Sequence, residues 1–215
     1  MRPEKDHAAL MDDVYRYQRY VYDFTRKYYL LGRDRLIREM KPGPQARIIE
    51  IGCGTARNLI RMARTYPDAR LYGLDASAEM LRTAENAIAR AGLSRRIKLV
   101  QAYAEDLTPA LFGETAPFDE AVFSYSLSMI PDWKQALKAA QAALSPRGHV
   151  HVVDFGDLKG LGPAEGLLRW WLGLFHVAPR EELLCTIEQQ RDNGQVKVLS
   201  GRYAFLWTSA PVTAT

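Results

Sequence analysis

Ile48-Ile49-Glu50-Ile51-Gly52-Cys53-Gly54-Thr55-Ala56-Arg57-Asn58-Leu59 is the stretch that decides the fold. Three isoleucines and an acid run into a glycine turn, and a helical pattern follows. A strand ending in such a turn lets the backbone approach a ligand closely, because glycine has no Cβ in the way. The helix start beyond it offers free N–H groups. Dinucleotide-binding turns place a third glycine at the sixth position of Gly-x-Gly-x-x-Gly. Here that position is Arg57, and a pyrophosphate would also lie near Glu50. An acid two residues ahead of Gly-x-Gly suits a cationic or neutral cofactor better.

Outward from this turn, apolar runs alternate with helical patterns. Strands are expected at Arg47–Ile51, Arg70–Leu74, Ile97–Ala102, Phe118–Phe123 and His149–Phe155, with helices at 55–66, Ser77–Ala91 and Trp133–Leu144. Pro146-Arg147-Gly148 reads as a turn. This alternation predicts a parallel sheet with helices on both faces. Val196–Ser200 and Arg202–Thr208 are two strand-like runs around Gly201, predicting an antiparallel edge. Residues 8–40 read as two helices broken near Gly32, with Val14, Tyr17, Val21, Phe24, Tyr28 and Leu31 as the buried stripe.

In open α/β sheets, ligands bind beyond the carboxyl ends of the strands. Glu50, Gly52, Cys53 and Gly54 follow the first strand, and Asp75 follows the second, 21 residues after Gly54. An acid there can accept both hydroxyls of a ribose. Ala76, Met80 and Leu81 supply apolar walls. Ala104 and Glu105 follow the third strand, and Ser124 to Ile130 follow the fourth. As a set these motifs resemble the class I S-adenosylmethionine-dependent methyltransferases over roughly residues 45–155. The resemblance implies S-adenosyl-L-methionine as cofactor, the glycines under its methionine part, Asp75 on the ribose, Ala104 and Glu105 at the adenine edge, and Ser124, Tyr125 and Met129 around the methyl group. It implies a Rossmann-like, seven-stranded, mostly parallel sheet with an antiparallel strand at one edge. Residues 1–44 would be a helical cap over the site and residues 45–215 the methyltransferase domain. Ala56 stands where a third glycine is commoner.

Six of the eleven tyrosines lie between Tyr15 and Tyr29. Tyr15, Arg19, Tyr22, Arg26, Tyr29 and Arg33 recur at helical spacing. Tyrosine faces attract cations and guanidinium groups bind carboxylates and phosphates. The pattern fits either a zwitterionic substrate or a surface helix braced by Arg–Tyr stacking. Residues 14–37, the Ser124–Trp133 segment and Phe175-His176-Val177-Ala178-Pro179-Arg180 look like the betaine-lipid methyltransferases. That family converts diacylglycerylhomoserine to its trimethylated form by three successive N-methylations. The resemblance implies Tyr22, Tyr29 and Tyr125 as catalytic residues and Tyr15, Arg19, Arg26, Arg33 and His176 as substrate-binding residues. Tyr22 and Arg35 also align in spacing with quinone-biosynthesis C-methyltransferases and phospholipid N-methyltransferases, which implies that they approach the cofactor's carboxylate. Phosphatidylethanolamine N-methylation and quinone-precursor C-methylation therefore stand as alternatives. The apolar Leu167–Phe175 run, with Trp170 and Trp171, suits either a buried helix or an acyl chain at a membrane surface.

Composition narrows the classes. The chain has 215 residues, 47% hydrophobic and 25% charged, enough for one full α/β core. Two cysteines, Cys53 and Cys185, do not make a disulfide scaffold, and no cluster has metal-ligand spacing. No leader pattern or membrane-spanning run is read, so a cytoplasmic protein, peripheral on the inner face of the membrane, is expected. Arg16 to Arg47 carries nine basic residues against three acids. That leaves nucleic-acid binding to be considered, but it would give the strand-end motifs no purpose, so no nucleic-acid partner is expected. His149 and His151 share a face of the fifth strand and read as structural, and Asp154 reads as either a cap or a site residue.

Overall fold

A strand buried on both faces reads as a continuous apolar run, and the isoleucines before Gly52 are such a run. The computed structural model describes residues 30–160, 162, 166, 181–189 and 194–211. In it these isoleucines form β1 (Arg47–Ile51), whose last four residues are all buried. The other strands are β2 (Arg70–Asp75), β3 (Ile97–Gln101), β4 (Phe118–Ser124), β5 (Leu144–Phe155), β6 (Gly194–Leu199) and β7 (Ala204–Ser209). They form one sheet in the order β3-β2-β1-β4-β5-β7-β6. The first five are parallel, and β7 runs antiparallel between β5 and β6. The antiparallel strand thus sits one place in from the edge, with β6 outermost.

The helices are α1 (Arg33–Met40), α2 (Arg57–Thr65), α3 (Ala78–Arg90), α4 (Trp133–Ala142) and α5 (Glu181–Gln189). Leu36, Ile37, Leu59, Met62, Leu81 and Ile88 of α1 to α3 cover one face of the sheet. Trp133, Leu137, Leu183 and Ile187 of α4 and α5 cover the other. Start signals are local: Ser77 accepts from the Met80 N–H ahead of α3, and Asp132 from the Gln135 N–H ahead of α4.

The turn expected at Pro146-Arg147-Gly148 is instead a bulge within β5. Phe118 pairs with Leu144 and Glu120 with His149, so β5 carries more residues than β4 over that interval. The expected helical break near Gly32 is present on its described side, where α1 starts at a left-handed Gly32 (φ 86°). A Cβ there would lie 2.9 to 3.2 Å from Leu199, Leu206 and Val153, so only glycine lets this segment lie against the sheet. α1 is fastened further by the Tyr66 hydroxyl on the Ile37 carbonyl and by Lys197–Glu39 at 2.7 Å. Residues 1–29, including most of the expected stripe, and the 167–180 run lie outside the described residues. Among the described residues, no helix is long and apolar enough to cross a membrane.

Ala56 caps α2 in the left-handed region (φ 62°, ψ 20°) and is fully buried. A Cβ in that conformation costs about 1 kcal/mol. Ala56→Gly is therefore expected to stabilise the fold by about 1 kcal/mol, or roughly 2–4 °C in Tm for a chain of this size. Thermal melts check it. A lower Tm would mean that the packing of the buried methyl outweighs the strain.

Candidate functional site

The glycine turn is shaped by its neighbours on the sheet. Gly52 N and Cys53 N both donate to the Leu74 carbonyl at the end of β2, at 2.8 and 3.0 Å. Gly52 is left-handed (φ 72°), and a Cβ there would lie 2.5 Å from the Ser126 Cβ. The Ser126 hydroxyl donates to the Ile51 carbonyl at 2.6 Å, so the loops after β1 and β4 touch. This is the point where the strand order reverses, the usual place for a ligand crevice in such sheets.

Asp75 closes the turn from the other side. Its Oδ2 accepts from Gly54 N at 2.8 Å and its Oδ1 from Ser77 N at 2.9 Å. An ionised carboxylate offers about four acceptor sites, so holding these two backbone donors does not by itself bar a hydroxyl donor. The structural role and the ribose role are thus compatible on one side chain.

Glu50 is buried at the end of β1, 1% exposed. Its Oε1 accepts from the Asn58 side-chain amide at 2.7 Å, while its Oε2 has no partner. Burial pushes its pKa up to about 7, against the Asn58 hydrogen bond and the nearby Arg33 and Arg57 guanidiniums, which favour the charged form. Ser124 Oγ is also buried without a partner. Glu50 is in register with Val122, two residues before Ser124, so both side chains leave the sheet on the same face. Two unsatisfied buried acceptors, one of them acidic, suit a cationic donor such as an ammonium group. The left-handed glycine turn, the acid pair Glu50 and Asp75, and these two free acceptors fit S-adenosylmethionine.

The loop after β4 is fixed by a buried carboxylate. Asp154 accepts from Ser128 N at 2.9 Å and from the Ser128 hydroxyl at 2.7 Å. Tyr125 sits in the left-handed region (φ 55°), a strained place for a tyrosine. Its hydroxyl donates to the Leu31 carbonyl at 2.7 Å, and its ring meets Phe155 edge to face. Burial raises the Tyr125 pKa well above the ordinary tyrosine value, so it stays a phenol and ties the start of α1 to the site.

Of the residues expected at the cofactor, the turn brings together Glu50, Gly52, Cys53, Gly54 and Asp75. Cys53 is buried, which raises its thiol pKa. Met80 and Ala104 are buried, Glu105 and Met129 half-buried, and Ala76 exposed. The Arg35 side chain is 45% exposed and pairs with Glu39 at 2.7 Å. Arg33 is the arginine of α1 whose charge reaches Glu50 and Tyr125. Tyr15, Arg19, Tyr22, Arg26, Tyr29 and His176 lie outside the described residues. His151 Nε2 lies 2.8 Å from Glu120 inside the sheet and its Nδ1 3.1 Å from the Thr208 hydroxyl. His149 Nδ1 lies 2.9 Å from the Ser209 carbonyl. Both histidines thus brace β5 against neighbouring strands. Sequence reading missed Asn58 as the partner of Glu50.

Residues 48–148 match the methyltransferase domain family. The chain is 30% identical over 189 residues to a ubiquinone/menaquinone biosynthesis C-methyltransferase of Syntrophotalea carbinolica, covering 83% of this chain and 72% of that protein. It is 27% identical over 140 residues to the protein of the same description from Geotalea daltonii, covering 62% of this chain but only 58% of the relative. Among solved structures it is similar to the apo form of the S-adenosylmethionine-dependent methyltransferase SibL. That match has a TM-score of 0.64 and 21% identity, and covers 91% of this chain and 57% of SibL.

Proposed function

The chain belongs to the class I S-adenosylmethionine-dependent methyltransferases, and we propose that it methylates an acceptor carried on a lipid tail, a prenylated hydroquinone precursor. The observation that carries this reading is the 30% identity to a quinone C-methyltransferase over 83% of the chain. The cofactor, when bound, supplies an activated methyl group on a sulfonium. Glu50 and Ser124 hold the cationic end, Asp75 the ribose, and the backbone at Gly52 and Gly54 lets both approach. Asp154, through Ser128, holds the loop after β4 against the acceptor. Positioning of this kind supplies much of the rate in a displacement whose leaving group is already activated.

A second reading, three-step N-methylation of diacylglycerylhomoserine, is favoured by the recurrence of Tyr15, Arg19, Tyr22, Arg26, Tyr29 and Arg33. A tyrosine-lined site stabilises a developing quaternary ammonium, and an arginine holds the homoserine carboxylate. The two readings differ in their proton balance. Carbon methylation of a hydroquinone ring releases one proton in its single round. The last of three nitrogen methylations, on a tertiary amine, releases none. In either reading we place the chain at the membrane surface, because both acceptors are membrane-borne.

The test incubates the purified chain with methyl-labelled S-adenosylmethionine and vesicles carrying demethylmenaquinol, diacylglycerylhomoserine or phosphatidylethanolamine, then identifies the labelled lipid. Label in the quinol is the expected result. Label in mono-, di- and trimethylated homoserine lipid would replace it with the second reading. Label in phosphatidylethanolamine alone would overturn both acceptors and leave the cofactor site standing.

A further inference from the structure

Glu50 is not held by the sheet alone. Its Oε1 takes a hydrogen bond from Asn58 Nδ2 at 2.7 Å, and Asn58 is itself buried on the first turn of α2. The Asn58 Oδ1 accepts from Arg57 Nη1 at 3.1 Å. This fixes the amide orientation, since a flipped Asn58 would set oxygen against the Glu50 carboxylate and nitrogen against the guanidinium. The same Arg57 Nη1 lies 2.7 Å from Asp34 Oδ1 on α1. That contact is an ion pair between the two helices. It holds the Asp34 carboxyl below the usual carboxylate range.

A line of polar contacts therefore runs from α1 through the first turn of α2 to the acid at the end of β1. Arg57 occupies the position where a dinucleotide turn would need glycine, and Asn58 follows it. We propose that Arg57 and Asn58, anchored by Asp34, are positioning residues that fix the Glu50 carboxylate for the cofactor's cationic end and tie the seating of α1 to cofactor affinity. The inference rests on the cofactor assignment and not on which acceptor is methylated. The charged and titratable groups around Glu50 are Arg33 from α1, Arg57 from α2, Asp75 from β2 and Cys53 from the turn. None of these replaces the directed bond from Asn58.

The sign follows from that bond. A donor on a carboxylate favours its ionised form, so losing Asn58 raises the pH at which Glu50 gives up its proton. Binding of S-adenosylmethionine, followed by calorimetry from pH 5.5 to 8, should weaken as pH falls through that value. In Asn58→Ala the onset should move up by about one pH unit, and affinity at pH 7 should fall about fivefold, as the ionised fraction drops from about a half to about a tenth. Titration of the ligand's own amine is common to both proteins and drops out of the comparison. A residue that merely props up the fold would lower affinity without moving the onset, and an unmoved onset overturns the proposal. Should Asn58→Ala fail to fold, Arg57→Ala carries the same test, since its side chain is 42% exposed. The onset must again rise. The link to α1 is read from Asp34→Ala, which should weaken binding at least twofold in the native background and have no effect beside Asn58→Ala. An equal effect in both backgrounds overturns that link. If the native chain binds no S-adenosylmethionine at any pH, the cofactor assignment has failed. If it binds and only the shift is missing, the positioning role alone has failed.

Discussion

Replacing Glu50 with glutamine should make the cofactor-free protein more stable at pH 8 while weakening its hold on S-adenosylmethionine. In the folded chain Glu50 keeps its proton up to about pH 7, against an ordinary value of 4.5. Between those values the folded state binds a proton that the unfolded state has lost, so stability falls as pH rises through that window. Above it the full cost of a buried carboxylate is present. Two to three pH units at about 1.4 kcal/mol each make that cost about 3 kcal/mol. Glutamine cannot ionise, and its oxygen still accepts from Asn58. Its amide nitrogen stands where Oε2 lacked a partner, which returns about 1–2 kcal/mol of the gain. The net expectation is about 1–2 kcal/mol at pH 8, a rise of roughly 2–8 °C in Tm for a chain of this size. At pH 5 the native side chain is protonated and the advantage should vanish. Cofactor affinity should drop about 10- to 100-fold at pH 8, because a charge-assisted contact is lost. Melts at pH 5 and pH 8 with one binding curve check all of it. A gain in Tm of the same size at both pH values would show that the buried charge is not its source.

A site that is costly to the empty fold is also one that sequence reading finds easily. Glu50, Gly52 and Gly54 each break a local expectation, an acid in a central strand and glycines at its end, and Asp75 gains its meaning from standing 21 residues after Gly54 at the end of the next strand. Those breaks, and the strands around them, were legible because parallel strands are near-continuous apolar runs of fixed spacing. Asn58 was not, because a polar residue in the first turn of a helix is ordinary until the docking of α2 on β1 buries it. The exposure of Arg35 also follows from a spacing already in the sequence. Leu36, Ile37 and Met40 are the buried face of α1. Arg33 is three and four residues before the first two, whereas Arg35, two positions on, is rotated about 200° away. The bulge in β5 was hidden for another reason. Pro146-Arg147-Gly148 has turn chemistry, and only the pairing of Leu144 with Phe118 shows that the strand begins before it.

Asp75→Ala should do the reverse of Glu50→Gln, harming both the empty fold and the bound one. In the native chain its two oxygens take the Gly54 and Ser77 backbone N–H groups at 2.8 and 2.9 Å. Alanine leaves both donors without that acceptor, and the Gly54 donor lies in the turn that carries the site. Each loss costs about 1–2 kcal/mol, so a fall of several degrees in Tm is expected. The ribose hydroxyls are assigned to this same carboxylate. Losing two charge-assisted hydrogen bonds there costs about 3 kcal/mol, roughly 100-fold in affinity. Asp75→Asn separates the two roles. Its oxygen can still serve Gly54 or Ser77, so the fold should recover more than the affinity does. S-adenosylhomocysteine is the ligand to use beside the cofactor, since it keeps the ribose and lacks the sulfonium charge. If Asp75 acts through the ribose, both ligands should weaken by the same factor, whereas Glu50→Gln should weaken both through their shared ammonium at any pH where Glu50 is ionised. An Asp75→Ala protein that folds and binds either ligand at native affinity would remove Asp75 from the ribose and leave it only the closing of the glycine turn.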